Sequence, residues 1–481
     1  YGHQILAQHL DGVVEPGVTR EFGHAVITVK APGGLFAGLH PREHVWMSHG
    51  DHVTSLPPGF RLLAATRDCP IAAMGDDRRR FYGIQFHPEV THTVHGVEIL
   101  GNFLFHICGC KGDWHPGDRV EQVEAAIRRK VADRRVLFFL SGGVDSTVAY
   151  SLTERALGAD RVHAIYVDTG FMRGGETREI SQVFRRLNLG ELEVFDARRR
   201  FLEALRGVTD PETKRQIIGR LFVDVQDHIL AGRRYRSRSW MLGQGTIYPD
   251  TIESGGTQHA ALIKTHHNRV DRIQQLLAEK RVLEPLAQFY KDEVRQLGRA
   301  LGLPDTVIRR HPFPGPGLAI RCLCSDRKLA PESDPEITAL AAAAGYEAFL
   351  LPLRSVGVQG DCRTYAKLTV LYGAPVHHAL IEGLTTRITN TCRHTNRVTV
   401  ALAPAPLEPS QWHVRRATLT PGRIRLLQKV DQIVTRFLHE EFLYDLIWQC
   451  PVVLLPFSLH GGETVVLRPI SSVDGMTAEV V

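Results

Sequence analysis

The stretch VLFFLSGGVDSTVAY, Val136 to Tyr150, decides how the chain folds. Its opening run, Val136 to Leu140, is apolar and has the length of a buried strand. Ser141-Gly142-Gly143 follows, then a segment of helical periodicity that opens at Asp145 and Ser146. The pattern predicts a strand, a glycine turn and a helix N-terminus. Adjacent glycines let the backbone pass close to a ligand, and the N–H groups of a helix's first turn have no partner inside the helix. Such a nest favours an anion, most often phosphate. A Walker-type loop requires Lys-Ser or Lys-Thr after the second glycine, and Val144-Asp145 stand there instead, which excludes a kinase-type phosphate loop.

The same alternation extends outward. A helix is expected over Val120–Val131, a strand over 163–170 (HAIYVDTG), a helix over Thr177–Leu187 and a strand over 192–197 (LEVFDA). Asp210 and Pro211 read as the N-cap and N1 of another helix, followed by WMLGQGTIYPDTIES (240–254). Strands separated by helices imply crossovers and an α/β, doubly wound parallel sheet. Ligands of such sheets lie at the carboxyl ends of the strands, where SGGVDS, VDTG and LGQGT all fall.

A chain of 481 residues has room for about three domains. Apolar and charged fractions of 43% and 23% are those of a globular protein, and no apolar run approaches the roughly 18 residues of a membrane helix. A net charge of +6 suits phosphorylated substrates, while clusters such as Arg198-Arg199-Arg200 read as solvated faces rather than nucleic-acid sites. The eight cysteines show no CxxC spacing, which argues against zinc and against a disulfide framework and points to a reducing cytosol.

Residues 1–112 read as strands and turns closing with one helix, buried over Val97–Ile107. A strand ending in Phe86-His87-Pro88-Glu89 can aim an imidazole at a nucleophile while the carboxylate fixes its tautomer. Three stretches carry a resemblance to class I glutamine amidotransferases: YGHQ at the start, WMSHGDHV (46–53) and HPEVTHT (87–93). The resemblance implies His87 and Glu89 as two members of a catalytic triad. It also implies a glutamine site at Tyr1, Gly2, Gln4, Ser48, His49 and Gly50. It places the nucleophilic cysteine immediately before Tyr1, so residues 1–481 alone are expected not to hydrolyse glutamine. Cys69, Cys108 and Cys110 are unconvincing substitutes, lying in a loop and at a helix end.

SGGVDS resembles the signature of PP-loop ATP pyrophosphatases. VDTGFMR, DPETKRQIIGRLF, LGQGTIYPDTIES, LIKTHHN, LEPLAQFYKDEVRQLGRALGLP and RHPFPGPGLAIRCLC then follow in the order found in the glutamine-hydrolysing GMP synthases. VQGDCRTYAKL (358–368) and VVLRPISSVDGMTA (465–478) resemble that family's C-terminal domain, in wording closest to its longer, eukaryote-like form, and the family's last segment would lie beyond Val481. The resemblance implies a three-part chain: a partial amidotransferase domain (1–112), a PP-loop domain (113–310) and a small α+β domain for XMP binding and dimerisation (311–481). The implied reaction is ATP-dependent amination of XMP to GMP in the cytosol, with adenyl-XMP as intermediate and Mg²⁺ as cofactor. ATP would lie on Ser141, Gly142, Gly143, Val144, Asp145, Ser146, Val167, Gly243, Lys264 and Lys291, with Asp145 holding Mg²⁺. Lys264, His266 and His267 would sit on a lid, and Arg220, Pro316, Gly317, Gln359 and Arg363 would take XMP. A homodimer and no nucleic-acid partner are expected. The alternatives are another PP-loop enzyme, such as NAD synthetase, asparagine synthetase or a tRNA-thiolating enzyme, and an incomplete or ammonia-dependent homologue serving as a nucleotide-binding regulator.

Overall fold

The computed structural model describes residues 1–113, 119–190, 192–235, 237–253, 276, 278–359, 362–402, 411–458, 461–471 and 479–480. The chain divides into two compact units, Tyr1–Trp114 with Ile470–Val481, and His115–Pro469.

In the first unit, β1 (Val13–Val29), β2 (Arg42–Ser55), β3 (Arg61–Ala65), β4 (Ala73–Asp76) and β5 (Phe81–Ile84) form an antiparallel sheet in the order β2-β1-β3-β4-β5. Ile27, Val45, Met47, Leu63 and Met74 are fully or almost fully buried. Two expectations need correction. The unit opens with a helix, Gly2–His9, rather than a strand or turn, and its buried positions His3 and Ala7 are the one-turn spacing of a helix face. The segment expected as a buried helix is helical from Gly96 to Ile107, with a π-helical second half, but buries only one face. Ile99 and Asn102 are inside, whereas Val97 and Phe105 are 80% and 51% exposed. Apolar side chains on both faces had concealed its amphipathicity.

The second unit holds the parallel sheet the alternation calls for. Its strands β6 (Arg135–Leu140), β7 (Val162–Asp168), β8 (Leu192–Asp196), β9 (Trp240–Gly243) and β10 (Val282–Leu283) are ordered β10-β9-β6-β7-β8 and pair in parallel throughout. Alternate residues feed two cores. Val136, Phe138 and Leu140 of β6, with Val162, Ala164 and Tyr166 of β7, pack on one face. Leu137, Ile165 and Val167 pack on the other. A strand has a period of two, so an unbroken apolar run is what a sheet covered on both sides requires.

From β6 the chain steps to β7 and β8 on one side, then to β9 and β10 on the other, which makes the carboxyl end of β6 the topological switch point. The helix Pro211–Ala231 is capped as expected, Asp210 Oδ2 accepting from Thr213 N at 2.8 Å. Asp210→Ala is expected to cost about 1 kcal/mol, the usual value of an N-cap carboxylate. It should lower the thermal midpoint followed by circular dichroism by about 2 °C; an unchanged midpoint would show the cap is idle.

Within the same unit, β11 (Glu347–Gln359), β12 (Cys362–Tyr372) and β13 (Thr395–Val400) form a three-stranded sheet, flanked by helices Pro335–Ala343 and His378–Thr391. The short strands Val452–Leu455 and Thr464–Leu467 pair with each other in antiparallel. The long β11–β12 hairpin and the helix His378–Thr391 escaped the sequence reading. Among the described residues no helix is long and apolar enough to cross a membrane.

Candidate functional sites

In the first unit a cavity of about 570 Å³ is lined by Tyr1, Gly2, Gln4, Ser48, His49, Gly50, His87 and Glu89, together with Gln85 and Asp51. Every residue expected around a glutamine therefore meets in one place. His87 Nδ1 lies 2.7 Å from Glu89 Oε1, and both side chains are 43% exposed to the cavity mouth. The backbone of His87 is pinned: its N–H donates to Trp46 O at 3.0 Å, and its carbonyl accepts from the buried Thr93 hydroxyl, which in turn accepts from Trp46 N. Gln4 Nε2 donates to Gln85 Oε1 and Asp51 O at 3.1 and 3.2 Å, closing one wall.

The His49 ring is locked between Glu21 Oε2 (3.0 Å) and Asp51 O (3.1 Å), so the loop offers the cavity its backbone and Ser48 rather than an imidazole. Glu21, missed by the sequence reading, also faces Cys69, whose thiol burial and the Glu21 charge push up to about 12. Cys69 is fully buried and unreactive in that state. Among the described residues no thiol lines the cavity. Burial also drives His3 down to about 4, so its ring is neutral.

In the second unit the stretch after β6 forms the glycine turn and helix N-terminus that the sequence reading expects to take an anion. Gly142 adopts φ +75°, and Gly143, extended, is the N-cap of the helix Val144–Leu157. Ser146 and Thr147 hydroxyls both donate to Gly143 O, at 3.1 and 2.9 Å, which fixes the first turn from below. Gly245, after β9, comes so close that a Cβ there would stand 2.8 Å from Ser146 N. Lys291, first residue of the helix Lys291–Ala300, donates from Nζ to Asp145 Oδ2 at 2.5 Å, while Asp145 Oδ1 is buried with no hydrogen-bond partner. A carboxylate oxygen in that condition beside a phosphate nest fits a hard divalent cation, which takes carboxylates together with phosphate oxygens.

Val167 and Gly243 lie in the sheet beneath the nest. The Val167 side chain is buried in the core and a Cβ on Gly243 would overlap the Phe138 ring, so both face the site only through backbone. Gly317, φ +64°, docks on the turn that follows β7: Leu318 N donates to Phe171 O at 2.7 Å. Pro316 precedes it in that turn. Arg220 is exposed on the helix Pro211–Ala231. Gln359 and Arg363 stand near the turn end of the β11–β12 hairpin, where Gln359 pairs with Cys362 and Val358 with Arg363. Lys264, His266 and His267 fall outside the described residues.

Other residues at this site gave no signal in sequence. Arg310 reaches the phosphate loop itself, Nη1 donating to Gly142 O at 2.9 Å. Beside the Gly317 turn, the Arg173 and Arg321 guanidiniums lie 4.8 and 5.0 Å from the Phe313 ring centre and flank the buried Asp431 at 3.8 and 3.9 Å. Burial raises the Asp431 carboxyl and lowers Arg321 to about 10.

Residues 1–107 match the class I glutamine amidotransferase family and residues 118–212 match the NAD synthase family. The chain is 40% identical over 483 residues to a probable GMP synthase [glutamine-hydrolyzing] of Leptospira interrogans serogroup Icterohaemorrhagiae serovar copenhageni, covering 99% of this chain and 80% of that one. It is 45% identical to the GMP synthase [glutamine-hydrolyzing] of Thermomicrobium roseum over 86% of this chain and 81% of that one. For the Azoarcus protein of the same name the identity is 43% over 86% and 84%.

Proposed function

The chain belongs to the glutamine-hydrolysing GMP synthase family, and on that premise we propose how its residues divide the work. The family reaction is the ATP-dependent amination of XMP to GMP with nitrogen from glutamine. The observation that carries the assignment to particular residues is the nest after β6, placed at the sheet's switch point with the Asp145–Lys291 pair beside it.

The backbone of Ser141 to Ser146 binds the β- and γ-phosphates of ATP, and Lys291 supplies a point charge to the departing pyrophosphate. Asp145, whose buried Oδ1 has no hydrogen-bond partner, would hold Mg²⁺, which would offset the phosphate charge when bound. XMP O2 attacks the α-phosphorus, forming adenyl-XMP as the bond to pyrophosphate breaks. Ammonia then adds at purine C2 and AMP leaves. XMP sits against the Gly317 turn, with Pro316, Arg220, Gln359 and Arg363 on its side, and residues 311–481 act as its binding domain. In the first unit His87 is the base, steadied by Glu89, for a glutamine lying along Tyr1, Gly2, Gln4 and residues 48–50. A cytosolic homodimer without a nucleic-acid partner completes the reading.

The test is an ammonia-supplied assay, which bypasses glutamine hydrolysis. XMP, ATP, Mg²⁺ and ammonium are expected to give GMP, AMP and pyrophosphate in equal amounts. Formation of ADP and phosphate, or an acceptor other than XMP being required for pyrophosphate release, would overturn the proposal.

A further inference from the structure

Gly142, at φ +75°, belongs to the loop read above as the ATP phosphate site, where the negative end of a backbone carbonyl disfavours an anion. The Gly142 carbonyl does not stand free: Arg310 Nη1 donates to it at 2.9 Å. The same guanidinium is held from its other side, Nη2 lying 2.8 Å from Glu176 Oε1, with Glu179 Oε2 at 3.9 Å. Glu176 is 2% exposed, and its second oxygen accepts from Arg173 N at 2.9 Å, so it too is fixed. The loop is held tightly against this pair. A Cβ on Gly142 would meet Arg310 Nη1 and Glu176 Oε1, each at 3.3 Å.

We propose that Arg310 is the positioning residue of the phosphate loop: it fixes the Gly142 peptide plane and offsets the negative end of the Gly142 carbonyl. A planar guanidinium presents several donors in a rigid fork, so it serves a carbonyl and a carboxylate at once. A lysine ammonium has one compact head, and it would stay with Glu176, because a charged partner binds it more strongly than a neutral carbonyl does. Arg310 lies four residues before Pro314, so the chain that pins the loop is the chain that leads into the Gly317 turn. Arg310 touches no reacting atom in this account; it acts through Gly142.

The proposal rests on the reading of Ser141 to Ser146 as the ATP phosphate site, and the experiment separates the two. Arg310→Lys and Glu176→Gln are measured in the full chain by ammonia-dependent, XMP-dependent pyrophosphate release, with Asp145→Ala alongside. For Arg310→Lys the KM for ATP is expected to rise about tenfold, the equivalent of one charge-assisted hydrogen bond. The KM for ammonia and the thermal midpoint should stay at their parent values. Glu176→Gln keeps a neutral acceptor for Arg310, and an ATP-specific rise of about threefold is expected from the looser fork; this variant decides the matter if Arg310→Lys does not fold. An unchanged KM for ATP in the folded variants overturns the proposal. So does a rise shared equally by ammonia and accompanied by a fallen thermal midpoint, which is a structural role only. If Asp145→Ala keeps pyrophosphate release, the reading of the loop fails. If it loses release while Arg310→Lys binds ATP like the parent, the positioning role alone fails.

Discussion

Replacing Asp145 by alanine is expected to abolish XMP-dependent pyrophosphate release while leaving the fold in place. The residue stands in the first turn of the helix Val144–Leu157, and its side chain is 27% exposed. Alanine is the best helix former, so the turn survives the change. What disappears is the carboxylate that accepts from Lys291 through Oδ2 and whose buried, unpartnered Oδ1 is proposed to take Mg²⁺. Lys291 is then an unpaired charge beside the phosphates, free to ion-pair with ATP before the reaction rather than during it.

Loss of one preorganised group aimed at developing charge costs about 10² to 10³ in rate, and loss of the metal with it takes the effect to the upper end or beyond. The measurement is kcat/KM for ATP with ammonia as donor, with far-ultraviolet circular dichroism confirming the helix content. Release within tenfold of the parent would remove Asp145 from the mechanism.

Gly317→Ala is expected to be the most damaging single methyl in the second unit. At φ +64° an L side chain is strained by about 1–2 kcal/mol before any contact is considered. A Cβ there would stand 2.3 Å from Phe171 O, a backbone atom in the turn after β7 that already accepts from Leu318 N. Neither backbone can yield without opening the turn, so a total cost of about 3 kcal/mol or more is expected. The consequence for function is displacement of the Gly317 turn from the carboxyl end of β7. The KM for XMP should rise more than the KM for ammonia in whatever fraction remains folded.

Gly315→Ala is the control, because nothing lies within 4 Å of a Cβ at that position. It should leave the thermal midpoint where it is. Equal midpoints for Gly317→Ala and Gly315→Ala would show that the turn is not docked on Phe171.

The legible parts of this protein were those in which one local pattern answers one local question. The apolar run of β6 announced a strand covered on both faces, and Phe138 and Leu137 do enter opposite cores. Asp210-Pro211 announced a helix start, and Asp210 caps it. Mixed patterns were illegible: the helix over Gly96–Ile107 carries apolar residues on its exposed face as well as its buried one, and the helix Gly2–His9 is too short for periodicity to declare itself. For the candidate site, HPE and SGGVDS were legible as motifs, because a paired His87–Glu89 and a glycine turn onto a helix are each built within a few consecutive positions.

Sequence by itself therefore determined the parallel sheet, the glycine turn onto a helix at its switch point and the presence of an amidotransferase-like part. These follow from periodicity and from glycine's freedom at Gly142, properties a residue has whatever surrounds it. Tertiary structure alone decided that Lys291 meets Asp145 across 146 positions, that Arg310 holds the Gly142 carbonyl across 168, and that Glu21 occupies the ring of His49. An arginine or glutamate carries no mark of its partner. Which charges meet is fixed by the strand order that brings distant segments to one sheet edge, and only there does SGGVDS change from a loop able to accept a phosphate into one held in shape by Arg310 and Glu176.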